Sequence, residues 1–345
     1  MKNIKILLVI VVIFTSCKSV KYKDIKEGVY ADLITNKGDI LLKLYAKDVP
    51  MTVGNFVSLA EGNHPKVTDS LQGKKYYNHT VFHRVVKGFI TQGGDHTGTG
   101  RGNAGYFFPD EFPKDKNEKL LYKHDTKGVL SMANSGRNMN SNQFFITHEG
   151  TPWLDGKHTV FGKVVKGIAV IDSIKEGDSI KKIVILRIGK EAKKFDAIKA
   201  FKEGLNIAKI REKERIKKSA KIKKAFLKEM GIEKAKETSS GLKILILKKG
   251  KGKKVTSSLP VSAFYTFYTS EGVLIQSNIG KEPFKFTVDK RPLIAGWKEG
   301  VLTMREGDKV RLFIPSYLGF GDKSVGLIPT KSDLVFEIEV LKVGK

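Results

Sequence analysis

Apolar and polar positions change period several times along the chain, and each change marks an element. Val29-Tyr30-Ala31-Asp32-Leu33-Ile34 and Ile40-Leu41-Leu42-Lys43-Leu44 are strand-like runs, with Asn36-Lys37-Gly38-Asp39 between them as hairpin-turn residues. Pro50-Met51-Thr52 opens a helical stretch in which Phe56, Leu59 and Ala60 fall at i, i+3 and i+4. Residues 80–170 carry short β-rich runs punctuated by glycine, the pattern of a barrel or sandwich, and 183–188 reads as a last apolar strand. From 190 to 237 the period becomes helical, first at Phe195, Ile198, Phe201, Leu205 and Ala208, then at Ile216, Ala220 and Leu227, with no proline to interrupt it. After Ser239-Ser240-Gly241 strands resume at 242–247, 263–268, 309–314 and 334–341, with one short helix near 294–302. No repeat links the two β-rich regions.

A length of 345 residues fits about two domains, and 40% hydrophobic with 29% charged residues excludes wholesale disorder. Lys and Arg number 63 against 36 Asp and Glu, a formal charge of +27, which favours neutral or acidic partners and opposes self-association. The excess is densest at 190–237, with 17 Lys and Arg against eight Asp and Glu. That stretch is read as one or two amphipathic helices joining two domains. It is either a solvated spacer whose apolar stripe packs on a neighbour, or a membrane-surface or client-binding helix. Nucleic-acid binding is not expected, because stacking aromatics and specific donors are lacking there. The one cysteine, Cys17, excludes an intrachain disulfide and a Cys-based zinc site. No metal or cofactor is expected.

Residues 1–17 read as an export leader. Lys2 and Lys5 precede a nine-residue apolar run from Ile6 to Phe14, too short to cross a bilayer. Phe14-Thr15-Ser16-Cys17 resembles a bacterial lipobox, which implies export, lipidation of Cys17 and anchoring to a bacterial membrane in the cell envelope, facing the periplasm. An ordinary cleaved signal with an incidental cysteine is the alternative. Residues 18–27 form a polar tether.

Three blocks carry candidate chemistry. Val81 to Asp95 places Arg84, Val86 and Gln92 at even spacing, on one face of an extended strand. Leu130 to Gly136 is followed by Asn142-Gln143-Phe144-Phe145-Ile146, and then by Trp153-Leu154-Asp155-Gly156-Lys157-His158. In this order they resemble the cyclophilin family over residues 28–190. The resemblance implies a closed eight-stranded β-barrel with a helix at each end, and peptidyl-prolyl cis–trans isomerisation of proline-containing polypeptides. It implies Arg84, Gln92, Phe145 and His158 as catalytic. Val86, Phe89, Ile90, Ala133, Asn134, Ser135, Gln143, Trp153 and Leu154 are implied to bind substrate. Departures are small: Ile90 replaces a common methionine, and Ser135 is one small residue for another. The chemistry agrees, since rotation about an X–Pro bond needs no nucleophile, metal or carboxylate pair. Gly100-Arg101-Gly102-Asn103-Ala104-Gly105 matches a dinucleotide fingerprint, but no helix follows it, so it reads as a surface loop near the groove.

The C-terminal blocks Ala263-Phe264-Tyr265-Thr266, Pro283-Phe284-Lys285-Phe286, Leu293 to Gly300, Ile314 to Gly321 and Leu334-Val335-Phe336-Glu337 resemble an FKBP-type domain. That implies an antiparallel sheet wrapped round a short helix. Trp297 would floor a pocket walled by Tyr265, Phe284, Leu293, Ile294, Phe320, Ile328 and Phe336. Ile275 stands where an aromatic is usual, Gln276 where an aspartate is usual, and Phe320 lacks a tyrosine's hydroxyl. This half is therefore expected to be the weaker isomerase or a proline-binding module. The expected architecture is mainly β with helices: leader 1–17, tether 18–27, cyclophilin-type domain 28–190, basic helical linker 191–238 and FKBP-type domain 239–345. A non-catalytic chaperone or scaffold holding proline-containing segments is the alternative function.

Overall fold

A computed structural model of the chain describes residues 22 and 24–344. The leader and Cys17 lie outside the described residues. The chain divides into two compact units, with the division after Ile210.

The first unit begins with β1 (Gly28–Thr35) and β2 (Gly38–Leu44), antiparallel from Val29↔Leu44 to Thr35↔Gly38. Thr35 Oγ1 tightens the turn by donating to Gly38 O at 2.6 Å. α1 (Pro50–Glu61) starts on a proline, whose missing N–H would have no helical partner there. Its first amides are instead held from far along the chain: Met51 N and Thr52 N donate to the Glu111 carboxylate at 3.2 and 2.7 Å. Gly62, at φ +82°, ends the helix in the left-handed conformation that only glycine takes cheaply.

β3 (Thr80–Val81), β4 (Arg84–Val86), β5 (Ile90–Gly93), β6 (Val129–Asn134), β7 (Asn140–Thr147), β8 (Val160–Lys166), α2 (Ile168–Ser173) and β9 (Ser179–Ile188) follow. The nine strands form one sheet in the order β3-β9-β1-β2-β8-β6-β7-β5-β4. A single antiparallel bridge, Val81↔Asp95, joins β3 at one edge to the residues just after β5. Phe56 of α1 sits in the core against Tyr77, Phe144 and Phe161, with ring centroids 5.1–5.5 Å apart. Such rings dominate core energetics through buried area.

α3 (Lys190–Lys193) and α4 (Ala197–Glu229) realise the helical period of 190–237. Phe201 is fully buried in the first unit's core, and Phe195 and Leu205 pack against it. The apolar positions further along are not buried as a face: Ile207, Ile210, Ile216 and Ile222 are exposed.

The second unit contains β10 (Lys236–Glu237), β11 (Lys243–Lys248), β12 (Val261–Thr269), β13 (Leu274–Ser277), β14 (Phe284–Phe286), α5 (Ala295–Leu302), β15 (Lys309–Ile314) and β16 (Leu334–Val343). The sheet runs β10-β11-β15-β16-β12-β13, with β14 also on β12, and its pairs are antiparallel. α5 lies directly on it, because a Cβ added at Gly296 would come within 2.5 Å of the Ile314 side chain. The last turns of α4 belong to this unit: Phe226 packs on Tyr268, and Lys223 pairs with Asp333 at 2.7 Å.

Candidate active site

The even spacing of Arg84, Val86 and Gln92 does not come from one extended strand, as the sequence suggested. β4 and β5 form a hairpin with Arg84↔Gln92 and Val86↔Ile90 as cross-strand partners. Gly88, at φ +71°, lies in the turn. Cross-strand partners share a face, so all four side chains still face one way. Arg84 is exposed; its Nη1 donates to Gln92 Oε1 at 3.3 Å, and its guanidinium lies 5.8 Å from the centre of the Phe89 ring. Gln92 Nε2 donates to Gln143 Oε1 at 2.9 Å. Gln143 Nε2 in turn donates to Gly100 O and Gly102 O at 3.0 and 2.9 Å. One chain of side-chain amides thus runs from the guanidinium to the glycine-rich loop.

Phe145 sits beside Gln92 because β5 pairs with β7 at Gln92↔Phe145. It is buried, meets His158 edge-on at 5.6 Å, and stacks on His124 at 5.9 Å. His158 Nδ1 donates to Met132 O at 3.0 Å, which leaves Nε2 as the acceptor of the neutral ring. Burial holds the His158 pKa below its ordinary value, with Met132 O opposing the shift. Phe89 stacks with Trp153 at 6.0 Å, and Trp153 is 55% exposed. Leu154, next in the same short turn, accepts the His158 amide at 3.2 Å. Ile90 is buried, and its cross-strand partner Val86 is exposed.

β6 ends in a register shift between Met132 and Asn134, which leaves Ala133 without a ladder partner on β7 while Asn134 pairs with Asn140. Asn134 Nδ2 donates to Lys157 O at 2.8 Å and holds this end against the His158 turn. Ala133, Asn134 and Ser135 face Gly102, Asn103 and Gln143 across a groove of about 390 Å³. All the first-unit residues expected from sequence therefore lie on the hairpin, the groove or the aromatic slot between them. Reading the sequence missed His124, whose ring nitrogens lie 2.9 Å from Asp155 Oδ1 and 2.9 Å from Ser131 Oγ. It also missed Met139 and Phe107 in the groove lining. No local motif marked these residues; their contacts arise from distant parts of the chain.

In the second unit Tyr265, Phe336 and Phe284 meet the Trp297 ring edge-on at 5.4, 5.0 and 6.3 Å. Trp297 is buried, and its Nε1 has no hydrogen-bond partner among the described residues. Ile328 is buried in the same cluster, and Ile275, Leu293, Ile294 and Phe320 pack on it partly exposed. Gln276 is exposed and is the cross-strand partner of Phe267, on the face where Phe267 stacks on Phe336 at 4.4 Å. Arg291, not expected from sequence, lies over the Phe284 ring at 5.1 Å.

The first, β-sheet unit thus carries an aromatic slot beside a polar groove, with an exposed guanidinium at the junction. Comparison with known proteins is specific. The cyclophilin type peptidyl-prolyl cis-trans isomerase family model matches residues 30–190, and the FKBP-type peptidyl-prolyl cis-trans isomerase model matches residues 251–341. A peptidyl-prolyl cis-trans isomerase of Helicobacter pylori is 40% identical over 167 residues, 48% of this chain and 91% of that one. The chain belongs to the cyclophilin type peptidyl-prolyl cis-trans isomerase family. The peptidyl-prolyl cis-trans isomerase-like 2 of Rhizopus delemar is 46% identical over 156 residues, 44% of this chain. The chain spans only 26% of that relative's length. A cyclophilin type isomerase of Cryptosporidium parvum, solved by crystallography, aligns with 35% identity and a TM-score of 0.38, covering 46% of this chain and 97% of that one.

Proposed function

We propose that the protein is a peptidyl-prolyl cis–trans isomerase acting on proline-containing polypeptides, with the first unit carrying most of the catalysis. The observation that carries this reading is the Arg84–Gln92–Gln143 chain, with Phe89 and Trp153 on one side and Phe145 and His158 on the other. The X–Pro barrier is ~18–20 kcal/mol because rotation breaks amide resonance. As the bond twists, the proline nitrogen regains a lone pair. Arg84 meets it with an N–H, and because that bond is made mainly in the twisted state it lowers the barrier. Gln92 orients the guanidinium. Phe145, with Phe89, Ile90 and Leu154, holds the ring, and His158 closes the rim. Ala133, Asn134, Ser135 and Gln143 hold the chain on the groove side, with Val86 and Trp153 at the edge.

The sheet is read as a closed eight-stranded barrel. The Val81↔Asp95 bridge supports this, because it links the β3 edge to β5 and leaves β4 as a flap outside the ring. The domain scheme proposed is 28–190, a basic helical segment 191–238, and 239–345, the last a weaker isomerase or proline-binding module around Trp297. A non-catalytic holding role is retained as the second reading for this last part alone, favoured by Phe320 and by Gln276. The pattern of residues 1–17 supports export and lipid anchoring through Cys17, to be checked by mass spectrometry of the mature N-terminus. The central test is NMR exchange on X–Pro peptides with the purified protein. Catalysed cis–trans exchange is the expected result, and exchange at the uncatalysed rate of tens to hundreds of seconds sinks the proposal.

A further inference from the structure

The helix that leads out of the first unit is built into that unit beyond residue 190, where the family match ends. Two glycines let α4 approach α1 to backbone contact. A Cβ at Gly54 would lie 2.6 Å from Ala197 O and 2.9 Å from Phe201 N, and Gly204 abuts the Met51 side chain. Phe201, thus brought in, is fully buried with its ring 4.6 Å from His64 and 5.8 Å from both Tyr106 and Phe108.

Tyr106 and Phe108 end the loop whose residues Gly100, Gly102 and Asn103 line the substrate groove. That loop is rich in glycine, with Gly98, Gly100 and Gly105 at φ +68°, +77° and +90°, so its own backbone does little to select one conformation. It has to be anchored from outside. On one side Asp95 accepts the amides of Thr97 and Gly102 at 2.9 and 3.1 Å, and Gln143 binds two of its carbonyls. On the other side the anchor is the ring cluster on Phe201. His64 Nδ1 accepts the Lys66 amide at 3.1 Å, so its proton sits on Nε2 and faces the Tyr106 oxygen at 2.9 Å. Tyr106 donates to Asn55 Oδ1, Asn55 Nδ2 donates to Ser141 O at 2.7 Å, and Ser141 Oγ accepts the Ala104 amide at 3.1 Å. The polar relay therefore returns to the loop it started from, and Ser141 itself lines the groove.

We propose that the first turns of α4, through Phe201, position the groove loop 100–108 of the isomerase unit, so that Phe201 is a positioning residue for substrate and not part of a passive spacer. The loop keeps the groove at the width an extended peptide needs only while Tyr106 and Phe108 are seated on Phe201. The kinetic consequence rests on the isomerase reading above; the positioning itself does not.

The test uses the full chain with Phe201→Ala and Phe201→Leu. In hydrogen exchange, the Gly102 and Ala104 amides are expected to lose protection at least tenfold in Phe201→Ala, while the Ala31 and Leu33 amides of β1 change less than threefold. Phe201→Leu should restore most of the difference. If the alanine variant does not fold, the leucine variant is compared with the parent, with a threefold loss confined to Gly102 and Ala104 expected. In the isomerase assay, KM for a peptide extending several residues to each side of proline should rise about fivefold at unchanged kcat, and a minimal X–Pro peptide should be unaffected. Equal loss of protection across the barrel, or unchanged protection at Gly102 and Ala104, overturns the proposal. The parent chain, assayed alongside, judges the isomerase reading separately: if it leaves X–Pro exchange at the uncatalysed rate, that reading fails while the hydrogen-exchange result still decides the role of Phe201.

Discussion

Arg84→Ala separates catalysis from folding in one substitution. Arg84 is exposed on β4, and its one side-chain hydrogen bond, to Gln92, is long at 3.3 Å. Removing it leaves no buried group unpaired, because Gln92 stays tied to Gln143 at 2.9 Å. Such a surface change costs within ~0.5 kcal/mol of stability. Loss of a fixed donor that acts in the transition state costs about 2.7–4 kcal/mol, or roughly 10²–10³ in rate. Arg84→Lys keeps the charge but loses the planar fork, so it cannot hold Gln92 and the proline nitrogen together and should recover only a small part. The assay is NMR exchange on an X–Pro peptide, with a thermal melt of each variant. All variants carry Trp297→Leu as well, so that activity of the second unit is not mistaken for a residue of the first. A folded Arg84→Ala protein with a rate within about twofold of its Trp297→Leu parent would refute the assignment of the guanidinium to the twisted nitrogen.

Cutting the chain at residue 190 removes Phe201 and the buried Ala192 and Ala197 from the first core, and loss of one buried Phe side chain costs about 3–5 kcal/mol. Fragment 24–190 should therefore melt about 6–20 °C below fragment 24–210, and equal midpoints would show that α4 contributes nothing. Burial pushes His64 from 6.5 down to about 3, so between those values the unfolded chain binds a proton that the folded chain does not. Stability should fall as pH drops below about 6.5, by ~2 kcal/mol at pH 5 from this residue alone, and urea titrations of His64→Gln should show a shallower slope than the parent. In the second unit Phe320→Tyr with Gln276→Asp should raise isomerisation about three- to tenfold at little change in peptide affinity, as restoring one transition-state hydrogen bond implies. With the first unit silenced by Arg84→Ala, no change in rate by NMR exchange would show that these polar groups are dispensable.

Much of the fold was legible in local pattern. Lys309–Ile314 forms the strand its β-like run predicts, and α1 starts at the Pro50 that marks it. Those features depend on neighbours a few positions away, through propensity, period and turn chemistry, so a linear reading reaches them. The residue types of the site were likewise legible in the sequence, because Arg84, Gln92, Phe145 and His158 stand in recognisable blocks. Their arrangement was not. Period two is the same for a long strand and for a hairpin whose partners share a face, and only the turn at Gly88 distinguishes them. Helical period predicted an apolar stripe from Phe195 to Leu227, but tertiary packing decided that Phe201 is buried against His64, Tyr106 and Phe108 while Ile216 stays in solvent. Likewise His124 meets Phe145, and Gln143 meets Gly100 and Gly102, only because separate strands and loops converge. Sequence determines which surfaces seek burial. Which surface each one meets depends on the free energy of the whole packed core, where contacts between residues far apart in the chain outweigh any local preference.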